Sequence, residues 1–151
     1  MPAIKKYTKK EILDAAVEVF RAGGLPAVNA RSVANQLGCS TQPIYLSFRS
    51  MDELKAALTE RATEMHTQYV RESLCLHEGN DSRYSSYGMG FVKFAAEEKQ
   101  LFRWLYLDGK QSGGYREDVL YTEVIRDLTE EFGYGEEVAR NLHRDMVYYS
   151  Y

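Results

Sequence analysis

The sequence predicts an all-α fold, and three observations carry that expectation. Apolar residues recur at three- and four-residue spacing in segment after segment. Two of those segments open with a capping-box signature, Thr8-Lys9-Lys10-Glu11 and Ser50-Met51-Asp52-Glu53, and glycines close others. Between these boxes, the stretch from Asn29 to Phe48 reads as two short helices joined by a tight turn at Gly38.

The elements follow in order. After Thr8, the residues Ile12, Leu13, Ala16, Val17 and Phe20 form one apolar stripe that ends at Gly23-Gly24, the support helix of a three-helix head. Asn29 caps the second helix, whose inward residues are Val33, Ala34 and Leu37, and Gly38 follows where a left-handed residue ends a helix most easily. Ser40 is expected to cap the third helix. Pro43 falls in that helix's first turn, where its missing N–H breaks no bond. At about 100° per residue, Ile44 and Phe48 face inward, Gln42, Pro43 and Leu46 face outward, and Tyr45 lies on the flank.

A long helix is expected to open at Ser50-Glu53 and run to about Leu76, with Leu54, Leu58, Ala62, Met65 and Tyr69 on one face. Glu78 to Ser82 reads as a linker. A further helix carries Tyr84, Tyr87, Phe91 and Phe94 or Ala95, and a shorter one places Leu101, Phe102, Leu105 and Tyr106 inward. Asp108 to Gly114 is a glycine-rich loop. The next helix carries Leu120, Val124, Leu128 and Phe132, and the last, from near Glu136, aligns Val138, Leu142, Met146 and Tyr149. Residues 1–52 are thus expected to form the head, and residues 53–151 a helical regulatory domain, incomplete at its C-terminus because the last pattern has no stop signal.

Composition narrows the function classes. The chain has 151 residues, 44% of them hydrophobic, enough for one or two modest helical domains. Its net charge of −3 hides an asymmetry, since residues 1–55 hold eight basic and five acidic side chains. A positive segment around the two short helices is the footprint of phosphate contact. No apolar run approaches the ~20 residues of a spanning helix, and the start lacks a signal peptide's apolar core, so no membrane association and a cytoplasmic location are expected. Cys39 and Cys75 form no metal or redox spacing, His66, His77 and His143 are scattered, and Cys75-Leu76-His77 lacks further ligands, so neither metal nor cofactor is expected. An enzyme is not expected either. No nucleophile–His–acid arrangement or paired-carboxylate motif is present, and the loop at Asp108–Gly114 lacks the Lys-Ser/Thr ending of a phosphate cradle.

The outward face of the third helix carries an amide and two apolar groups without any acid, which suits a major groove: Gln pairs bidentately with adenine, and Pro or Leu contacts a thymine methyl. The alternative is packing on a neighbouring helix.

The run Arg31-Ser-Val-Ala-Asn-Gln-Leu-Gly-Cys-Ser-Thr-Gln-Pro-Ile-Tyr45-Leu-Ser-Phe48-Arg-Ser-Met-Asp-Glu-Leu54 resembles the DNA-binding signature of TetR-type (TetR/AcrR-like) bacterial transcriptional regulators. That pattern has an Ala-x-x-x-Gly-Val-Ser turn, an apolar-Tyr-x-Tyr-Phe recognition helix and a Ser-Lys-Glu-Glu-Leu start to the next helix. Cys39 stands for the usual Val, Ser47 for the second Tyr and Arg49 for the usual Pro. Gln42 and Pro43 replace the frequent Gly and Thr, so the operator cannot be borrowed from relatives. With the first helix, the resemblance covers roughly residues 8 to 58.

What the resemblance implies is a homodimeric transcriptional regulator, acting as a repressor on a palindromic double-stranded DNA operator and released by a small-molecule effector. Gln42, Pro43 and Leu46 are the candidates for reading bases, and Asn29, Arg31, Ser40, Thr41, Tyr45 and Lys55 for backbone contact. For an apolar or aromatic effector, the candidates are Met65 and Tyr69 on the long helix, then Met89, Phe91, Phe94, Phe102, Trp104 and Tyr106, where aromatic residues crowd. Ordinary core packing is the competing role for each. The alternative function is a helical ligand-binding or protein-interaction module that does not read DNA.

Overall fold

The structure, a computed structural model, describes residues 6–76, 82–108 and 120–149. Helix α1 (Lys9–Gly23) opens on a closed capping box: the Glu11 N–H donates to Thr8 Oγ1 at 3.1 Å, and the Thr8 N–H to Glu11 Oε2 at 2.8 Å. Ile12, Ala15, Ala16, Val17 and Phe20 are buried. A short 3₁₀ turn (Leu25–Ala27) leads to α2 (Ala30–Leu37), capped by Asn29. Gly38 ends α2 at φ 68°, ψ 37°, where its N–H bonds the Asn35 carbonyl and the Cys39 N–H bonds that of Ala34. This is a Schellman closure, and its left-handed residue favours glycine. Helix α3 (Gln42–Ser47) follows.

Helix α4 (Met51–Leu76) has 26 residues and spans about 39 Å at 1.5 Å per residue. Leu54, Leu58, Ala62 and Met65 are buried as the spacing predicts. Beyond them the buried stripe continues through His66, Val70 and Ser73 instead of Tyr69. Four-residue steps drift around a helix of 3.6 residues per turn, so a fixed line of apolar residues leaves the contact face on so long an element. The start of α4 also differs from the expected box. Ser50 Oγ accepts the Glu53 N–H at 3.2 Å, but the Glu53 carboxylate reaches one residue further back, to the Arg49 N–H at 2.7 Å, and across to Lys9 Nζ at 3.2 Å.

Helix α5 (Arg83–Glu97), capped by Ser82, lies along α4. The crossing is tight at Gly90, where a Cβ would stand 2.5 Å from Val70 Cα. Helix α6 (Lys99–Phe102) runs into a π turn (Arg103–Leu107), closed by the Asp108 N–H on the Arg103 carbonyl at 2.8 Å. Helices α7 (Tyr121–Phe132) and α8 (Glu136–Tyr149) pack on each other. Leu120, at the N-cap of α7, and Val124 and Leu128 within it are buried, but Phe132 is half exposed and stacks on Tyr134. In α8 the expected line is displaced. Ala139, His143 and Val147 are buried, while Val138, Met146 and Tyr149 face out and Leu142 is only partly covered.

One apolar cluster runs from α1, α2 and α3 through the first half of α4 to Phe91, Phe94, Leu101 and Phe102. A second gathers Val70 and Tyr87 with Leu120, Val124, Leu128 and Ala139. The expected boundary at 52/53 falls in the first turn of α4, and the first cluster crosses it. Among the described residues there is no strand, and no helix is long and apolar enough to cross a membrane. His77, residues 78–81 of the expected linker and residues 109–114 of the expected loop lie outside the described residues.

Candidate nucleic-acid interface

Burial of two side chains aims the third helix. Ile44 and Phe48 are 1% and 3% exposed, so the opposite face of α3 must present Gln42, Tyr45 and Leu46, and Leu46 is 80% exposed. Thr41 and Pro43 are half-buried, and Ser40 is exposed. Ser40 does not cap the helix. The N-cap position is Thr41, at φ −73° and ψ −12°, and no side chain caps there. The reason is local: a capping oxygen needs the N–H of the second or third helical residue. Pro43 is the second and has none, and the Ile44 N–H is already given to the Thr41 carbonyl at 3.1 Å. Both hydroxyls therefore remain outside the helix's own bonding.

The remaining candidates for backbone contact sit around this face. Asn29 is exposed but engaged: its Oδ1 accepts the Ser32 N–H at 3.0 Å and its Nδ2 donates to the Ala27 carbonyl at 3.3 Å. Arg31 projects from the first turn of α2, and Lys55 lies half-buried in the second turn of α4. The Tyr7 hydroxyl donates to the Leu37 carbonyl at 3.1 Å, fastening the start of the chain beside the end of α2.

The charge arrangement sorts the cations of the head. Lys9 pairs with Glu53, Lys10 with Asp14 at 2.8 Å, and Arg21 with Glu18 and Glu98. Lys6, Arg31, Arg49 and Lys55 make no ion pair among the described residues. Between Glu18 and Asp52 the sequence contains no acidic residue at all, so nothing on α2 or α3 repels a phosphate. Lys6 and Arg49 were outside the set of contact candidates, although Arg49 in place of the usual Pro already adds a cation beside the third helix. Arg49 lies near the Glu53 carboxylate, which its backbone N–H holds at 2.7 Å. The Glu53 carboxyl is held below the usual carboxylate range, chiefly by the Arg49 backbone N–H and then by the Lys9 ammonium.

The aromatic candidates of the C-terminal half come together, but mostly as core. Phe91, Phe94 and Tyr106 surround the fully buried His66, with ring centroids 5.2 to 5.6 Å away, and Phe102 packs on Phe91 and Tyr106. Met65 is buried beside them. Tyr106 OH stands 3.1 Å from His66 Nδ1. Trp104 sits edge-on to Phe20 of α1 and donates to Thr59 Oγ1 of α4 at 3.2 Å. Tyr69 donates to Glu97 at 2.8 Å, and burial, aided by that carboxylate, pushes its hydroxyl up to about 12. Met89, half exposed, borders an open groove between α5 and α8, to which Phe91 also contributes an edge. Among the described residues, no three His, Cys, Asp or Glu side chains gather as metal ligands would.

Two comparisons bear on this geometry. Residues 12–58 match the family model of the bacterial regulatory proteins, tetR family, which takes in α1 to the second turn of α4, about a third of the chain. No curated protein matches the chain.

Proposed function

We propose that this chain, whose head is that of the tetR-family bacterial regulatory proteins, is a homodimeric repressor that a small apolar or aromatic molecule releases from a roughly palindromic operator. One observation carries the DNA reading. Helix α3 is fixed by Ile44 and Phe48 and turns an acid-free face of Gln42, Tyr45 and Leu46 outward, flanked by Arg31 and Lys55, which make no ion pair among the described residues. In this reading Gln42 pairs with an adenine edge, and Pro43 and Leu46 meet thymine methyl groups. Arg31, Lys55, Tyr45 and the Ser40 and Thr41 hydroxyls hold phosphates, while Asn29 shapes the start of α2 at the DNA surface.

Two such heads engage successive major grooves when they stand about 34–36 Å apart, one turn of DNA. The regulatory part, residues 53–151, sets that spacing through α4, the element shared by the head and the remainder. An effector that binds better to a conformation with another spacing weakens operator binding by the same difference in free energy. The protein works in the cytoplasm, where its operator is.

In vitro selection of random duplexes at moderate salt, with the enriched pool sequenced, tests the reading. The expected result is an inverted repeat with half-sites about one turn apart and binding that weakens steeply as salt rises. Failure to enrich any sequence at low salt, by the chain and by a forced dimer alike, overturns it. Binding insensitive to salt points to a protein-interaction module instead.

A further inference from the structure

Two glycines of α5 stand two residues apart for different physical reasons. Gly90 is required by packing, because a Cβ there would meet the backbone of α4. Gly88 is not: a Cβ would meet nothing within 4 Å, and its backbone is helical. A glycine inside a helix is destabilising relative to alanine, so a position that asks for neither close approach nor unusual backbone needs another reason. Gly88, itself exposed, borders an open groove between α5 and α8, of about 280 Å³, and leaves it unobstructed by a side chain at that point.

The chemistry of the walls is uneven. Tyr87 and Phe91 of α5 and Met146 and Val147 of α8 supply apolar and aromatic surface. Tyr84 and the buried His143 supply a polar end, with the Tyr84 hydroxyl 3.4 Å from His143 Nδ1. Burial pushes the Tyr84 phenol up to about 12, so it keeps its proton and remains a donor at neutral pH. No Asp, Glu, Lys or Arg borders the space among the described residues. An open groove whose polar end is the buried His143 offers no side chain to pair a charge brought to that end, and suits a flat apolar guest with a single hydrogen-bonding group.

We infer that the α5–α8 groove at Gly88 is the effector site, and that it takes an uncharged planar aromatic molecule bearing one hydroxyl, which meets Tyr84 and His143. This rests on the reading of residues 53–151 as an effector domain. It moves the site away from the aromatic packing around His66, where rings already fill the space.

The test is calorimetric titration of the full chain, without DNA, with 2-naphthol, naphthalene and naphthalene-2-sulfonate. The expected result is saturable binding of 2-naphthol to one site per chain, at least about tenfold tighter than the sulfonate. Gly88→Leu fills the space and weakens 2-naphthol at least about tenfold while the helical spectrum persists. Tyr84→Phe reduces the preference for 2-naphthol over naphthalene. No saturable binding by the unsubstituted chain, or undiminished binding by Gly88→Leu, overturns the inference. So does a change in sedimentation with Gly88→Leu when 2-naphthol does not bind, which would make the groove a seat for a second copy. The regulator reading fails separately: a chain that binds 2-naphthol but selects no operator keeps this site and loses that function. An operator that 2-naphthol does not release keeps the function and removes the effector role of the groove.

Discussion

Alanine substituted at Gly90 and at Gly88 should move stability in opposite directions, although the positions share a helix and lie two residues apart. At both, alanine gains helix propensity, about 0.5–1 kcal/mol over glycine. At Gly88 nothing opposes the gain, because the new Cβ meets open space. Gly88→Ala should therefore raise Tm by about 1–4 °C, taking about 2–4 °C per kcal/mol for a chain of this size. At Gly90 the Cβ would lie 2.5 Å from Val70 Cα and 2.9 Å from the Tyr69 carbonyl oxygen, both backbone atoms that no rotamer change can remove. Helices α4 and α5 must then separate by about 1 Å, which forfeits a quarter to a half of each contact along the crossing. Overpacking of this kind costs about 3 kcal/mol, at the upper end of the usual range, and the propensity gain returns at most about a third of it. The net loss of about 2 kcal/mol lowers Tm by about 4–8 °C. Thermal unfolding followed by far-ultraviolet circular dichroism reads both variants. Equal shifts of the same sign would refute the assignment of packing to Gly90 and of open space to Gly88.

Other consequences follow from the head and its attachment. Arg21→Met leaves the Glu98 carboxylate, only 7% exposed, without its guanidinium partner; because Arg21 itself is 39% exposed, the loss sits near the low end for charged hydrogen bonds, about 1.5 kcal/mol. Urea unfolding should recover part of this loss when Glu98→Gln is added, since a carboxamide needs no cation. The depressed Glu53 carboxyl contributes stability that is present above the ordinary carboxylate pKa and is lost as pH falls through its lower folded-state value. Glu53→Gln should therefore flatten the acid limb of a stability–pH profile. In DNA binding, Gln42→Ala should relax preference at one base pair by about 1–3 kcal/mol, whereas Tyr45→Phe should weaken all sequences alike. A selection repeated with each variant distinguishes the two roles. Arg49→Gln should lower the slope of log affinity against log salt by about one unit, as expected for one lost phosphate contact.

The sequence was most informative where a structure depends on neighbours along the chain. The Thr8–Glu11 box, the Asn29 cap, the left-handed Gly38 and the inward pair Ile44 and Phe48 each follow from bonds spanning a few residues. Ser40 misled because its eligibility as a cap depended on a donor that Pro43 lacks. Helix α8 misled for a tertiary reason. Its larger apolar residues Val138 and Met146 each lie one position before the buried stripe and Tyr149 lies two beyond it, and that stripe includes a histidine, which hydropathy alone does not mark as inward. The Arg21–Glu98 pair, separated by 77 positions, was beyond any local pattern. Most of the aromatic candidates pack together around His66, and Met89 lies apart from them. Whether a gathering is filled or hollow depends on the rings' mutual angles and on His66 among them, and a list of residue types contains neither.

The π turn at Arg103–Leu107 gives the chain an unusual sensitivity to length. Such a turn is one residue longer than the α-helical turn it replaces. Here it spaces two anchors, Trp104 against Phe20 and Thr59 and Tyr106 against His66, along the same flank of α4. Loss of a single codon in this span would allow the backbone to close in ordinary α register, and the residues of the turn after it would rotate by about 100°. One anchor could then stay only if the other let go. A reading-frame-preserving deletion, normally among the mildest changes a surface segment suffers, would act here like a gear slipped by one tooth.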